Sequence, residues 1–432
     1  MIRTVILLQK EERDSLLQHE YVERFWAGKA TDYLSSNLIK LITGPRRAGK
    51  SVFALQLLKS KNFAYLNFDD DLLIKHFDEN TLWQILLEIY PHFEYLLLDE
   101  IQNLPGWELW IAKLYRRGIN LVITGSNAKL LSNEMATALT GRYVQITILP
   151  FSYAETLAFN NITVASDTPA EKALLLQQLA DILQYGSFPE TIKSRTLTRN
   201  YLSALYDSIL LKDITKRFKV RNSNELYNLS AYLLTNYCNP FSINQLVDEL
   251  NIGSVHTAQK FCTYLTEPYL FFYLPRYNNK LKIMKKAPQK VYIIDNGFVA
   301  AQSFELSENR GRLLENLVFI ELLRRGYNTR QTLFYYHTRN NKEVDFVCRN
   351  MHKIEILIQV SYDVQNPKTY KREISSLIEA KGELNCSNLL LLTWDDEKTV
   401  EENGVTIQIR PVWKWLLNNS IIGRVFPVQE KP

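Results

Sequence analysis

The stretch from residue 38 to residue 58 constrains the fold most, because an apolar run, a glycine-rich turn and a helical pattern follow one another in it. The apolar run covers residues 38–42 and predicts a buried strand, and apolar residues after the turn recur at helical spacing. The turn reads GPRRAGKS, residues 44–51. Its glycines let backbone N–H groups approach a phosphate, and the new helix presents its positive end to that group. The order of strand, loop and helix therefore predicts a phosphate-binding loop, or P-loop.

Two side chains of this loop have distinct expected roles. Lys50 should reach the β- and γ-phosphates of a nucleoside triphosphate, and the Ser51 hydroxyl should hold Mg²⁺. The expected ligands are therefore ATP and Mg²⁺. The alternative is a glycine-rich turn that merely opens a helix, which leaves the GKS triplet unexplained. The residues expected to line the nucleotide are Gly44, Pro45, Arg46, Arg47, Ala48, Gly49, Lys50 and Ser51.

A second apolar run, in the segment EYLLLDEIQ, ends in the adjacent acids Asp99 and Glu100. A buried strand that closes on acids, downstream of a P-loop, is typical of a Walker B motif. Asp99 is predicted to ligate Mg²⁺, usually through water, and Glu100 to act as general base toward the attacking water. The alternative is a carboxylate that caps the end of a strand.

The length of 432 residues exceeds what one hydrophobic core usually supports, so two or three domains are expected. Hydrophobic residues make up 46% and charged residues 22%, which indicates a globular rather than a disordered chain. The net charge of +5 permits a polyanionic partner without requiring one. The cysteines are scattered, and no segment reads as a signal peptide or a membrane span. A soluble, cytoplasmic protein is expected.

Several motifs of the first third resemble those of a known family. GPRRAGK, LLLDEIQNLPGWE, TGSN and LTGRY followed by LPFSYAE are similar, in the same order, to motifs of prokaryotic AAA-type ATPases whose carboxyl-terminal region has a restriction-endonuclease-like fold. The resemblance implies an α/β P-loop core with a parallel sheet and helices on both faces. The expected domains are the ATPase core at residues 1–155, a helical lid with a winged-helix-like region at 156–300, and a restriction-endonuclease-like domain at 301–432.

The same resemblance implies roles for Asn127 and Arg142. Asn127 follows the strand in INLVITGS and would orient water near the γ-phosphate, as the sensor 1 residue does in AAA+ ATPases. Ser126 is a second candidate, and either residue could instead cap the next helix. Arg142 precedes the last core strand, from where an arginine of AAA+ ATPases reaches the γ-phosphate of a neighbouring subunit. That role implies a homo-oligomer, and the alternative is an ordinary surface arginine.

Residues 224–267 read as three successive helices, and the turn NIGS joins the last two at a spacing that fits a helix-turn-helix. Residues 269–295 fit a hairpin wing. DNA is therefore a possible partner, and the alternative is a lid or a protein contact. The groove-facing residues would be Ser254, His256, Thr257 and Lys260, and the lysines at DNA phosphates would be Lys280, Lys282, Lys285, Lys286 and Lys290.

The carboxyl-terminal region resembles the PD-(D/E)XK nuclease fold, in which Glu315 and Asp345 stand at acidic positions that would bind a divalent metal. The next strand ends in QVS, beginning at Gln359, where an active nuclease has an acid, any residue and a lysine. Serine cannot supply the positive charge that the lysine places beside the scissile phosphate. Lys368 or Lys371 could reach in from the following helix. The simpler interpretation is a nuclease fold used as a structural or binding module.

The motifs together predict an AAA-type ATPase that hydrolyses ATP with Mg²⁺ and couples its nucleotide state to domains that bind nucleic acid or protein. Two alternatives stay open. One is an ATP-regulated DNA nuclease of defence or mobile-element type, and the other is a nucleotide switch that scarcely hydrolyses ATP.

Overall fold

The structure is a computed structural model, and it describes residues 2–126, 139, 141–164, 168–302 and 309–418. The chain clusters into two compact units. The first contains residues up to Phe151, together with Ala158–Asn161 and Glu267–Tyr269, and the second contains the rest. Within the described ranges, no helix is long and apolar enough to cross a membrane.

A five-stranded parallel sheet forms the centre of the first unit. Its strands are β1 Ile39–Thr43, β2 Phe63–Asn67, β3 Tyr95–Asp99, β4 Asn120–Gly125 and β5 Tyr143–Thr147. They lie in the order β2-β3-β4-β1-β5. The carboxyl ends of β1, β4 and β3 therefore meet at one edge, with the loop 44–51 after β1 and Asp99 at the end of β3. The expected parallel α/β core is confirmed.

Helices cover this sheet and close two apolar cores. Successive residues of β3 alternate between them, since Leu96 and Leu98 pack in one core while Tyr95 and Leu97 pack in the other. Burial on both faces explains why this strand reads as an uninterrupted apolar run. The helices are α1 Ile2–Leu17, α2 Ala27–Leu34, α3 Lys50–Leu58, α4 Asp71–Lys75, α5 Glu79–Ile89 and α6 Trp107–Arg116.

A helical region follows the first sheet, and a buried carboxylate holds one of its turns. Asp295 Oδ2 accepts hydrogen bonds from Ser187 N, at 2.7 Å, and from Ser187 Oγ, at 3.0 Å. The neighbouring Gly186 has φ +76°, and a Cβ there would lie 1.8 Å from Asp295 Oδ1, so this turn requires glycine. The helices are α7 Tyr153–Phe159, α8 Pro169–Tyr185, α9 Pro189–Lys193, α10 Thr198–Ser208 and the π-helix Ile209–Lys216.

The next elements contain a small antiparallel sheet with the strand order β6-β8-β7, so that β8 is the central strand. The connection between β7 and β8 carries a short helix rather than a plain hairpin loop. The elements are α11 Ser223–Thr235, β6 Pro240–Phe241, α12 Ile243–Leu250, α13 Val255–Thr266, β7 Phe271–Pro275, α14 Leu281–Lys286, β8 Gln289–Ile293 and α15 Gly297–Gln302.

The carboxyl-terminal part of the second unit is a mixed six-stranded sheet in the order β13-β14-β12-β11-β10-β9. Strands β9, β10 and β11 pair antiparallel, whereas β12 runs parallel to both β11 and β14. The elements are α16 Arg310–Arg324, β9 Leu333–His337, β10 Glu343–Asn350, β11 Lys353–Ser361, α17 Pro367–Leu384, β12 Leu389–Thr393, β13 Lys398–Glu402, β14 Val405–Pro411 and α18 Val412–Leu417.

Candidate nucleotide-binding site

The loop between β1 and α3 depends on two glycines with positive φ. Gly44 has φ +145°, and a Cβ there would lie 2.0 Å from the carbonyl oxygen of Ile148, which is far inside contact distance. Gly49 has φ +89° and is the residue from which α3 starts. Both conformations are costly for residues with a side chain. The sequence GPRRAGKS therefore has its glycines where the backbone turns tightly in front of a helix N-terminus.

Arg24 supports this loop from outside the motif. Its Nη1 donates to the Ala48 carbonyl at 2.8 Å, and its Nη2 donates to the Leu149 carbonyl at 2.5 Å. The guanidinium also lies 4.8 Å from the centre of the Phe151 ring. Sequence reasoning missed Arg24, because it lies some twenty residues before the loop and belongs to no recognised pattern.

Lys50 is buried at the start of α3, with 4% of its side chain exposed. Its ammonium donates to the Pro45 carbonyl at 3.0 Å and lies 3.5 Å from Glu100 Oε1. The predicted phosphate-binding lysine and the predicted general base are thus neighbours across the loop. The ammonium is held inside the curve of the loop, where phosphate oxygens would be bound.

Asp99 is the centre of a buried hydrogen-bond cluster at the end of β3. Its Oδ1 accepts from Ser51 Oγ at 2.8 Å and from the Thr124 hydroxyl, and its Oδ2 accepts from Tyr65 OH at 3.3 Å. Burial, and then the charge of Glu100, raise the pKa of Asp99 to about 6, although the bonds from Thr124 and Ser51 act in the opposite direction. The two predicted Mg²⁺ ligands, Ser51 and Asp99, therefore lie together.

Glu100 has a left-handed backbone conformation, with φ +51°, and its N–H donates to Thr124 Oγ1 at 3.1 Å. Gln102 Nε2 donates to its Oε2 at 2.5 Å. Burial opposes ionisation of this carboxyl, but the charge of Lys50 and the bond from Gln102 outweigh burial and lower the pKa of Glu100. The predicted general base is therefore ionised near neutral pH. Thr124 and Tyr65 were not identified from the sequence, because only the folded sheet brings them to the acids. Gln102 was also missed, although it is two residues from Glu100.

Four other residues were predicted at this site, namely Asn127, Ser126, Arg46 and Arg142. Asn127 falls outside the described residues, whereas Ser126 is buried at the end of β4. Arg46 contributes to the lowered pKa of Glu100 through its charge. Arg142 is exposed just before β5, and its guanidinium lies 5.5 Å from the centre of the Tyr115 ring. The cluster of Lys50, Ser51, Asp99 and Glu100 thus forms without a described contact from Arg142.

This donor set fits a magnesium nucleotide. A serine hydroxyl and a carboxylate within hydrogen-bond distance of each other are oxygen ligands of the kind that Mg²⁺ prefers. Beside them are a buried lysine and the N-terminus of α3, which both attract phosphate. The carboxyl edge of the parallel sheet is also where ligands of such folds are commonly bound.

A second group of charged residues lies in the second unit, at the predicted nuclease-like acids. The Lys290 ammonium is 2.9 Å from Glu315 Oε1, 2.7 Å from Glu343 Oε1 and 3.2 Å from Asp345 Oδ1. The expectation that Lys290 contacts DNA phosphates is therefore wrong, because it lies on the central strand β8 with 1% of its side chain exposed. Burial raises the pKa values of both Glu315 and Asp345.

Gln359, the third predicted residue of that group, is hydrogen-bonded within the fold. Its Oε1 accepts from Asp345 N at 3.2 Å, and its Nε2 donates to Glu373 Oε2 at 2.6 Å. The lysine that contacts Glu315 and Asp345 is Lys290 of β8. Lys368 and Lys371 of α17, which could have reached these acids, are exposed. In the part of the chain that the structure describes, no three His, Cys, Asp or Glu side chains are arranged to hold a metal ion.

Most residues predicted to face DNA are exposed. On α13 and just before it, Ser254, His256 and Lys260 are exposed, and Thr257 is half-buried. The hydroxyls of Ser254 and Thr257 lie 2.9 Å apart, and Thr257 N donates to Ser254 Oγ at 3.1 Å, so these two residues cap the helix. The exposed lysines of the β7–β8 connection are Lys280, Lys282, Lys285 and Lys286.

Three domain families match consecutive parts of the chain. An AAA domain matches residues 36–157, and two domains of unknown function, DUF8612 and DUF4143, match residues 176–309 and 310–412. Among solved structures, a Walker-type ATPase of Pyrococcus abyssi has a TM-score of 0.45 at 14% identity, and covers 66% of this chain and 99% of its own. AMPPCP-bound DnaA from Aquifex aeolicus has a TM-score of 0.26 at 17% identity, with 55% and 85% covered. Both scores are too low to carry an argument about this chain.

Two relatives match nearly the whole chain. An uncharacterised protein of Methanocaldococcus jannaschii is 36% identical over 402 residues, which is 89% of this chain and 89% of the relative. An uncharacterised protein of Haemophilus influenzae is 32% identical over 418 residues, which is 93% of this chain and 98% of the relative. Residues 36–157, which match the AAA domain, contain the parallel sheet and the loop of residues 44–51. The protein belongs to the same family as these two proteins.

Proposed function

We propose that the protein binds ATP with Mg²⁺ at the loop of residues 44–51 and hydrolyses it. The observation that carries the proposal is the convergence of Lys50, Ser51, Asp99 and Glu100 at the carboxyl edge of a parallel sheet. A glycine-rich turn that only opened a helix would not need a buried lysine, or a serine paired with a buried acid, beside it.

Each side chain has a defined task in this proposal. The loop N–H groups and Lys50 bind the β- and γ-phosphates, while Ser51 and Asp99 hold Mg²⁺. Mg²⁺ held by Ser51 and Asp99 would supply positive charge that offsets the charge of the phosphates. Thr124 and Tyr65 fix the orientation of Asp99 through hydrogen bonds to its two oxygens.

Glu100 takes the proton of the attacking water. Its lowered pKa keeps the carboxylate ready to accept that proton, and Gln102 and Lys50 orient it. Asn127 is proposed to orient the same water, and Arg142 is proposed to reach the γ-phosphate bound by a neighbouring copy of the chain.

ATP turnover by the full chain tests this proposal. We expect Mg²⁺-dependent release of phosphate from the wild type. Lys50→Ala should weaken ATP binding by about 10-fold or more, because hydrogen bonds to charged groups contribute about 1.5–3 kcal/mol. Glu100→Gln should still bind ATP but turn it over about 100-fold more slowly, because a general base contributes at least that factor.

Binding is measured with a fluorescent ATP analogue and turnover by phosphate release. Lys59→Ala, an exposed lysine just after α3, is the matched control and should behave as wild type. Folded wild type that neither binds nor hydrolyses ATP would refute the proposal. Binding without turnover, unchanged by Glu100→Gln, would instead support the non-hydrolysing switch.

A second candidate function is DNA binding by the second unit. From α11 to β8 the order is helix, strand, helix, helix, strand, short helix, strand, which is that of a winged helix with α14 inserted between the two wing strands. The connection between β7 and β8 exposes four lysines. Exposed positive charge of this kind favours nucleic-acid backbone contacts. Running the turnover assay with and without duplex DNA tests whether nucleotide state is coupled to this region, and a gel of the same mixture reports any cleavage.

A further inference from the structure

Strand β8 directs two polar side chains into the interior of the second unit. Lys290 and Tyr292 are two residues apart on this central strand, so they project from the same face. Tyr292 OH donates to Glu315 Oε1 at 2.7 Å, and the Lys290 ammonium donates to the same oxygen at 2.9 Å. The small antiparallel sheet is thereby tied to helix α16.

Strand β10 supplies the other two acids. Glu343 and Asp345 are also two residues apart and face the Lys290 ammonium at 2.7 Å and 3.2 Å. Three carboxylates from two elements therefore surround one ammonium group. Because 1% of the Lys290 side chain is exposed, this ammonium has left water, and the carboxylates replace its hydration.

The oxygens of Asp345 are both engaged. Oδ1 lies against Lys290, and Oδ2 accepts a hydrogen bond from Val360 N at 2.9 Å. Gln359 is likewise bonded to Asp345 N and Glu373. The residues that the nuclease resemblance offers as metal ligands are thus bonded to other protein groups.

We propose that the Lys290 ammonium is the resident cation of the Glu315, Glu343 and Asp345 cluster, and that it fills the position a divalent metal ion would need. The residues of this cluster do not fit the metal that the nuclease resemblance implies. Mg²⁺ requires oxygen ligands at about 2.0–2.1 Å in a near-octahedral arrangement, and a second cation within a few ångströms of the ammonium would be strongly repelled.

The burial of Lys290 also distinguishes its role from that of a catalytic nuclease lysine, which another strand could otherwise supply. A lysine that assists cleavage has to reach the scissile phosphate of a bulky nucleic acid, whereas Lys290 is enclosed by protein on strand β8. The lysine absent from the QVS strand is therefore not restored as a catalytic group. In this protein the Lys290 ammonium occupies the space between Glu315, Glu343 and Asp345 in which a metal ion would bind.

Removing the ammonium tests the proposal, because it should open a divalent-cation site. Nucleotide-free full-length protein is titrated with Mn²⁺, and free Mn²⁺ is followed by electron paramagnetic resonance. We expect Lys290→Ala to bind one additional Mn²⁺ per chain and to be stabilised by it against thermal unfolding. Lys290→Ala/Asp345→Asn should lose that ion, and Lys286→Ala, at an exposed lysine of the connection before β8, should match wild type in Mn²⁺ binding.

Two results would overturn the proposal. One is a Mn²⁺ ion bound by wild-type protein and lost in Asp345→Asn, since the cluster would then accept metal beside the lysine. The other is folded Lys290→Ala protein that gains no ion. If Lys290→Ala folds only when Mn²⁺ is added, the exchange of one cation for the other is demonstrated directly. If it does not fold under either condition, the wild-type and Asp345→Asn titrations decide.

Discussion

At the scale of single residues, Gly44 shows how backbone geometry and phosphate binding depend on each other. The chain has to turn sharply between β1 and α3, because the loop N–H groups must converge on one point. At Gly44 the turn passes so close to the Ile148 carbonyl that no side chain fits. A backbone hydrogen bond joins the same two segments, since Ile148 N, just after β5, donates to the Thr43 carbonyl at the end of β1 at 2.7 Å.

We therefore expect Gly44→Ala to destabilise the first unit by more than about 2 kcal/mol, because the new Cβ adds a backbone clash to a φ that already disfavours side chains. Gly118→Ala is the matched control. Gly118 also has a positive φ, +77°, but among the described residues its Cβ would meet no atom within 4 Å, so the cost should be about 1 kcal/mol. Urea unfolding of both variants measures the difference. Equal costs would show that contact with Ile148 is unimportant.

At the scale of elements, the buried Asp295 joins two turns of the second unit. It lies between β8 and α15 and accepts hydrogen bonds from Ser187, before α9, and from Gly297 N, at 2.9 Å. Phe188 and Phe298 pack edge to face beside it, with ring centres 5.7 Å apart. The segments YGSFPE and VYIIDNGF, which are distant in sequence, therefore form one contact.

Burial raises the pKa of Asp295 to about 6 from an ordinary value of 3.8, although the bonds from Ser187 and Gly297 act in the opposite direction. The folded protein thus holds this proton more tightly than the unfolded chain does. The stabilisation is fully present below pH 3.8 and is lost as the pH rises through about 6. The stabilisation lost across this pH range is about 3 kcal/mol, at 1.36 kcal/mol per pKa unit.

Asp295→Asn removes this titration, so wild-type stability minus Asp295→Asn stability should fall as the pH rises from 4 to 7. The amide also disturbs the bonds to Ser187, but that offset does not vary with pH. Urea unfolding of both proteins at each pH gives the difference. A difference that stays constant, or rises with pH, would show that Asp295 is not protonated in the folded protein.

The sequence alone was sufficient where one contiguous segment contains the whole motif. The apolar run of β1, the turn and the start of α3 are contiguous, and so the P-loop could be recognised without the fold. It failed for Lys290, whose neighbourhood in sequence, KKAPQKVYIID, reads as one more basic stretch. Only the pairing of β8 between β6 and β7 turns Lys290 inward, and that pairing depends on contacts distant in sequence. Arg24, Tyr65 and Thr124 escaped recognition for the same reason.

At the scale of the whole molecule, the first unit contains one sheet and the second contains two, and each unit has apolar core residues of its own. The two relatives match 89% and 93% of the chain. The domain bounds expected at residues 155 and 300 remain predictions.

Assembly into a homo-oligomer is also a prediction, and it depends on Arg142. This arginine is exposed, lies over Tyr115, and has no described contact with the cluster around Asp99 in its own chain. A role in catalysis therefore requires a second copy of the chain.

Mixing two inactive variants tests this assembly. Arg142→Ala retains the nucleotide site but lacks the arginine, and should lose on the order of 10³-fold in turnover if the arginine stabilises the transferring phosphate. Lys50→Ala retains the arginine but lacks a working nucleotide site.

In an equal mixture, about a quarter of all nucleotide sites are intact and also face an intact Arg142 of the neighbouring copy. Activity should therefore recover to about a quarter of the wild-type value if copies exchange at random in a homo-oligomer. Replacing Lys50→Ala by Lys50→Ala/Arg142→Ala in the mixture should abolish the recovery. Wild-type turnover by Arg142→Ala alone, or a mixture no more active than its parts, would refute the proposed contact of Arg142 with the site of a neighbouring copy.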